Sequence, residues 1–131
     1  MSATKTAPTY AGQTVMADQV IETIAGVAAR EVDGIYQLGK GALRHALGRV
    51  TGSAETTQGV RVEVGKKEVA IDLDVVVEYG RNIREVAHQV RALVNDRIEQ
   101  MTGLNVKEVN INVVDIHFET IKEVAPLTRV E

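Results

Sequence analysis

Apolar and polar residues alternate along Gly59 to Tyr79, fall into a helical repeat over Ile83 to Met101, and alternate again from Val109 to Phe118. Val60, Val62 and Val64 are interleaved with Arg61 and Glu63, and Val69, Ile71, Leu73, Val75, Val77 and Tyr79 with mostly polar neighbours. That is the period of half-buried strands. A two-residue turn at Gly65-Lys66 sets Val62 opposite Val69 and Val60 opposite Ile71, so both strands present apolar residues to one face, and a leading glycine suits a type II′ turn. A three-residue loop opposes Val64 with Glu68 and needs a bulge.

Asn82 and Glu85 stand three apart, as in a capping box, ahead of apolar positions Ile83, Val86, Ala87, Val90, Leu93, Val94, Ile98 and Met101. Gly103 supplies the stop. In the closing strand Val109, Ile111 and Val113 share one parity and Val114, Ile116 and Phe118 the other, which predicts a bulge or sharp twist at Val113-Val114 that keeps both sets buried.

The first third is plainer. Residues 1–11 are small, polar and interrupted by Pro8, and are expected to form a flexible tail. Gln13 to Ala17 reads as a short strand. Asp18 then caps a helix with Val20, Ile21, Ile24, Val27, Ala28 and Val32 on its apolar side, Gly34 ends it, and Ile35 to Leu38 forms a second short strand. Periodicity is lost after Phe118, so residues 119–131 are expected to be a tail or a docking peptide. One domain over 12–118 remains, with a Gly-rich basic loop at 39–58. The order of elements predicts an α+β two-layer sandwich, with a mixed sheet, a central antiparallel hairpin and two main helices on one face.

The phrases VIETIAGVAAREVDGI, VRVEVGKKEVAIDLDVVVEYG, NIREVAHQVRALVNDRIEQMTGL and VKEVNINVVDIHF together resemble the bacterial alkaline-shock and general-stress protein family, also called the envelope stress response family. The resemblance runs from Gly12 to Phe118 and lies in the whole pattern, with its weakest stretch in the glycine-rich loop. It implies a noncatalytic role in cell-envelope homeostasis, exercised by self-association and by docking to a membrane-anchored partner. No catalytic residues are carried over, because the family has none established.

Composition narrows the alternatives. A chain of 131 residues with 44% hydrophobic content has room for one core, and with 3% aromatic residues that core is built from Val, Ile, Leu and Ala. Few aromatics disfavour platforms for stacking bases or sugars. The formal charge of -3 argues against nucleic-acid binding through the overall field, and the lack of cysteine removes disulfides, thiolate nucleophiles and Cys-ligated metals. No signal-peptide segment and no uncharged apolar run of about 18 residues occurs, which predicts a soluble, cytoplasmic chain that reaches the inner face of the membrane only through a partner.

Candidate chemistry is sparse. Asp72 and Asp74 fall about 7 Å apart on one side of a strand and with Glu78 form an acidic sheet face beside Arg61 and Glu63. Nothing supplies the remaining ligands of a cation site, so a solvated face with cross-strand pairing to Arg61, or to a basic residue of another subunit, is the reading adopted. His45, His88 and His117 are not grouped, no nucleophile turn is present, and Gly39-Lys40-Gly41 lacks phosphate-loop spacing. No catalytic residue, metal ligand or cofactor is assigned.

The glycine-rich loop carries the most distinctive surface. Leu43, Ala46, Leu47 and Val50 follow helical spacing, Lys40, Arg44 and Arg49 lie elsewhere around the turn, and no acidic residue occurs between Lys40 and Ala54. The plainer reading of so short a segment is that its leucines cap the domain core; read as an interface, Lys40, Leu43, Arg44, Leu47 and Arg49 are the candidate interaction surface. Its preferred partner is the acidic face of a neighbouring copy, a head-to-tail contact able to make rings or filaments. The alternative is a small RNA-binding module using the same basic 40–49 segment.

Overall fold

The computed structural model describes residues 10–39 and 58–119. Its elements are α1 (Asp18–Arg30), β1 (Ile35–Leu38), β2 (Val60–Val64), β3 (Glu68–Glu78), α2 (Ile83–Thr102) and β4 (Asn105–His117). Every other strand pairs with β3. Along one edge β4 runs parallel to it, from Glu68 opposite Asn105 to Glu78 opposite His117. The other edge is shared end to end by two antiparallel strands, β2 over Val69 to Leu73 and β1 over Val75 to Val77.

Period-2 alternation in β3 sends Val69, Ile71, Leu73, Val75 and Val77 to one face, where they are buried with Ile21, Ile24, Ala25, Ala28 and Ala29 of α1 and Val86, Val90, Val94 and Ile98 of α2. Each fully buried aliphatic side chain stabilises the fold by about 1.5–3 kcal/mol. Small residues let α1 lie close to its neighbours, while α2 contributes a narrow stripe at four-residue spacing. The result is the α+β two-layer arrangement with a mixed sheet and both helices on one face.

Local signals fix the ends of α2. Asn82 Oδ1 accepts from the Glu85 amide at 3.0 Å, and Gly103, left-handed at φ 78°, closes the C-terminus with its amide donating to the Glu99 carbonyl. Ile83 and Met101 nevertheless face solvent, because the stripe touching the sheet is narrower than the apolar run in the sequence. In α1 the N-cap is Ala17, with no side-chain cap bond, and Asp18 sits inside the first turn near the positive end of the helix dipole. Val20 and Val27 are on its exposed flank.

Gln13 to Ala17 is not a strand. It pairs with no described strand, and Val15 is 84% exposed. The hairpin is shifted from the expected register by two residues: Val64 pairs with Val69, Val62 with Ile71 and Val60 with Leu73, with Lys66-Lys67 at the turn and Gly65 N donating to Glu68 O at 2.7 Å. This register puts all three β2 valines opposite apolar residues, whereas a turn at Gly65-Lys66 sets Val64 opposite Lys67. In β4 the pairing steps from Val75–Val113 to Val76–Asp115, so Val114 is the extra residue, as the parity change predicts. Val113 and Val114 stay partly exposed because β4 is an edge strand among the described elements.

Two backbone approaches require glycine. Gly34 has φ +105°, and a Cβ there would lie 2.8 Å from Val86 Cγ2. Gly39 and Gly59 meet at Asp74: Gly39 N donates to Asp74 O and Asp74 N to Gly59 O, each at 2.9 Å, and a Cβ on Gly59 would come 2.4 Å from Gly39 N. The chain thus leaves the sheet and re-enters it beside one residue of β3. The expected basic segment Lys40 to Arg49, His45 and most of both tails lie outside the described residues.

Candidate interaction surface

No described helix covers the second face of the sheet, so its chemistry is that of the even-numbered β3 residues and their cross-strand neighbours. Asp74 is only 5% exposed there. Arg61 donates from Nη1 and Nη2 to its two carboxylate oxygens at 3.0 and 3.2 Å, and Asn112 Nδ2 donates to Oδ1 at 3.1 Å. Asp72 accepts from Asn110 Nδ2 at 2.9 Å, and the same amide donates to Glu108 at 3.2 Å. The hydrogen bond to Asp74 raises the Arg61 pKa further above its ordinary value, so the guanidinium is charged throughout the accessible range.

The expected acidic face is therefore a paired polar network across β2, β3 and β4. Asp74 departs from the solvated carboxylate read in the sequence, because Arg61 reaches diagonally past its direct neighbour Asp72 and Asn112 closes the other side. Glu78, at the end of the strand, lies 3.7 Å from Arg81. Arg81 is engaged more closely by Asp33 at 2.6 Å, and Arg97 by Glu31 at 2.8 Å, tying the turn after α1 to the turn before α2 and to the C-terminal part of that helix. These hydrogen bonds hold the Asp33 and Glu31 carboxyls below their usual pKa.

Beyond Glu78 the face changes character. Tyr36 of β1 and His117 of β4 stack with ring centroids 3.7 Å apart and planes 8° from parallel. Since β1 and β4 flank β3 on opposite edges, this stack spans β3 on the side where Val76 is buried. Tyr79 and Phe118 follow at 5.4 Å and 57°, and Tyr79 N donates to His117 O at 2.9 Å. Three of the four aromatic residues in the chain thus gather at one end of the sheet. They frame a hollow of about 300 Å³ with Glu78 and Glu119 at its rim. Sequence reasoning missed this cluster because Tyr36, Tyr79 and Phe118 lie far apart along the chain.

A second shallow hollow, between α2 and β4, is lined by His88, Arg91, Asn95 and Lys107 among others, and Arg91 Nε there donates to the Val109 carbonyl at 3.0 Å. The described residues contain no group of three or more His, Cys, Asp or Glu placed to hold a metal ion, and no helix among them is long and apolar enough to cross a membrane.

Residues 6–118 match the model of the alkaline-shock (ASP23) family, whose function is cell envelope-related. Among curated proteins, the stress response regulator gls24 homolog of Streptococcus pyogenes serotype M1 is 39% identical over 105 residues, covering 80% of this chain and 59% of that protein. YqhY of Bacillus subtilis (strain 168) is 35% identical over 112 residues, covering 86% and 82%, and YloU of the same strain is 34% identical over 103 residues, covering 78% and 86%. The chain spans about three fifths of the length of the streptococcal relatives.

Proposed function

We propose, from the premise that this chain belongs to the alkaline-shock family of cell envelope-related proteins, that it is a noncatalytic cytoplasmic scaffold of the envelope stress response. It works by associating with itself and by docking to a membrane-anchored partner at the inner face of the membrane. The carrying observation is the open sheet face, whose polar middle is internally paired while an aromatic end stays exposed, with Tyr79 at 71% and Phe118 at 50%. Exposed rings gathered beyond a satisfied polar network favour contact with another macromolecule over chemistry on a small substrate.

Charge complementarity within one chain supports the self-association: the Lys40, Leu43, Arg44, Leu47, Arg49 segment is basic, and of the acidic-face residues Asp72, Asp74 and Glu78 it is Glu78, at the strand end, that is open to it, Asp74 being buried against Arg61 and Asp72 bonded to Asn110. A heterologous contact of this kind propagates from copy to copy. The test is mass against concentration by light scattering, at low and moderate salt, for the wild type and an Arg44→Glu/Arg49→Glu variant, with affinity capture from membranes of the native cell. Growth that is salt-sensitive and lost in the variant, together with a co-purifying membrane protein, supports the reading. A concentration-independent monomer that captures no membrane protein refutes it.

A further inference from the structure

We propose that the hollow framed by Tyr36, Tyr79, His117 and Phe118 is a binding site for an arginine side chain, supplied by the 40–49 segment of a second copy of this chain. The inference rests on the self-association reading and assigns its acceptor. In the sequence that acceptor is the whole acidic face, yet Asp74 is nearly buried against Arg61 and Asn112, and Asp72 accepts from Asn110. The attraction available to an incoming cation shifts to the end of the sheet, where Glu78 and Glu119 flank open aromatic faces.

Ring faces carry negative quadrupole potential, and a planar guanidinium stacks on them while its N–H groups reach carboxylates beside the ring. The hollow supplies both parts. Tyr36 is held flat against His117, and Tyr79 and Phe118 are tilted at 57° to each other, so one wall is fixed and the other presents two differently inclined faces. Glu119 Oε2 lies 3.9 Å from His117 Nε2, which places that exposed carboxylate beside the rings. Arg81, the nearest described cation in sequence to Tyr79, is bound to Asp33 at 2.6 Å and stays 3.7 Å from Glu78.

Charge complementarity selects the occupant. Lys40, Arg44 and Arg49 fall in a stretch free of carboxylates from Lys40 to Ala54, in a chain whose formal charge is -3. The apolar Leu43 and Leu47 interleaved with those cations suit a hollow walled by exposed rings.

The experiment uses the full chain and a fluorescein-labelled synthetic peptide of residues 38–52, read by anisotropy. Wild type should bind the peptide, and a Tyr79→Ala/Phe118→Ala variant should bind it about five- to thirtyfold more weakly, the loss of two exposed cation–π contacts. Both rings are exposed, so the variant should fold, and circular dichroism checks that it does. Glu78→Gln should steepen the loss, and a peptide with both arginines replaced by glutamine should not bind. Equal binding by wild type and the ring variant overturns the site, as does failure of the wild type to bind at millimolar peptide. Binding seen only when the host itself carries Arg44→Gln/Arg49→Gln overturns the second copy as occupant and assigns the hollow to the chain's own segment. Self-association that persists in the ring variant overturns this site alone, whereas ring-dependent peptide binding by a chain that never exceeds monomer mass overturns the self-association reading.

Discussion

Replacing Asp74 tests whether the carboxylates of the open face serve the fold or a partner. The side chain is 5% exposed and receives two hydrogen bonds from Arg61 and one from Asn112. Hydrogen bonds to a charged group contribute about 1.5–3 kcal/mol when buried. Arg61 is 51% exposed, however, so water competes for its guanidinium and the pair must be discounted toward surface values of about 1 kcal/mol or less. Asp74→Ala is therefore expected to cost about 2 kcal/mol, most of it from Asn112 and the lost local packing. Arg61→Ala should cost about 1–2 kcal/mol by leaving a nearly buried carboxylate short of its cation. Urea unfolding of both single variants and the double variant gives the coupling directly, expected near 1 kcal/mol in favour of the pair. The backbone bonds of Asp74 to Gly39 and Gly59 survive all three substitutions, so the unfolding slope should not change. If Asp74→Ala unfolds within about 0.5 kcal/mol of wild type while losing assembly, the reasoning is refuted and the carboxylate acts in recognition.

Two further outcomes follow from packing and charge. Gly34→Ala combines strain at φ +105° with a Cβ 2.8 Å from Val86 Cγ2, about 1–3 kcal/mol from each source; Val86→Ala in the same chain should recover the steric part only, and additive urea midpoints would show that the clash is absent. Acidification should lower the melting temperature, because Glu31 and Asp33 have folded pKa values below their unfolded ones, so their contribution is present above about pH 4.5 and lost as pH falls through the folded values. An Arg81→Gln/Arg97→Gln variant should show a shallower decline between about pH 5 and 3, and parallel profiles would count against that linkage.

Much of the fold was legible because its signals are local and redundant. The Val86, Val90, Val94, Ile98 stripe comes with its own cap at Asn82 and stop at Gly103, and the change of parity at Val113-Val114 marks the bulge. Where only one weak signal operated, it misled. Gly65 drew the turn one residue too early, because pairing all three β2 valines with β3 outweighs the preference for glycine at the turn. Gln13 to Ala17 has strand-like residues, but Val15 is exposed and packs against no core, so alternation alone does not make a strand there. The candidate site was less legible still, since burial of Asp74 depends on a diagonal reach by Arg61 and on Asn112 from a strand 38 positions away. The aromatic end exists only because β1 and β4 flank β3, a relation that no window of sequence contains. The basic 40–49 segment lies outside the described residues, so its role rests on charge and spacing.

The meeting of Gly39 and Gly59 at Asp74 has a consequence in polymer terms. A segment whose two ends are fixed at one point presents the sheet with a closed base, and the strands on either side do not register how much chain lies between. Closing such a loop costs entropy that grows only with the logarithm of its length, about 0.6 kcal/mol for each doubling. Lengthening the chain between these glycines is thus thermodynamically mild, whereas adding a single methyl group to Gly59 is not, because it would press on the Gly39 backbone itself. The steric constraint on this part of the sheet therefore falls on the two hinges, which keep no side chain.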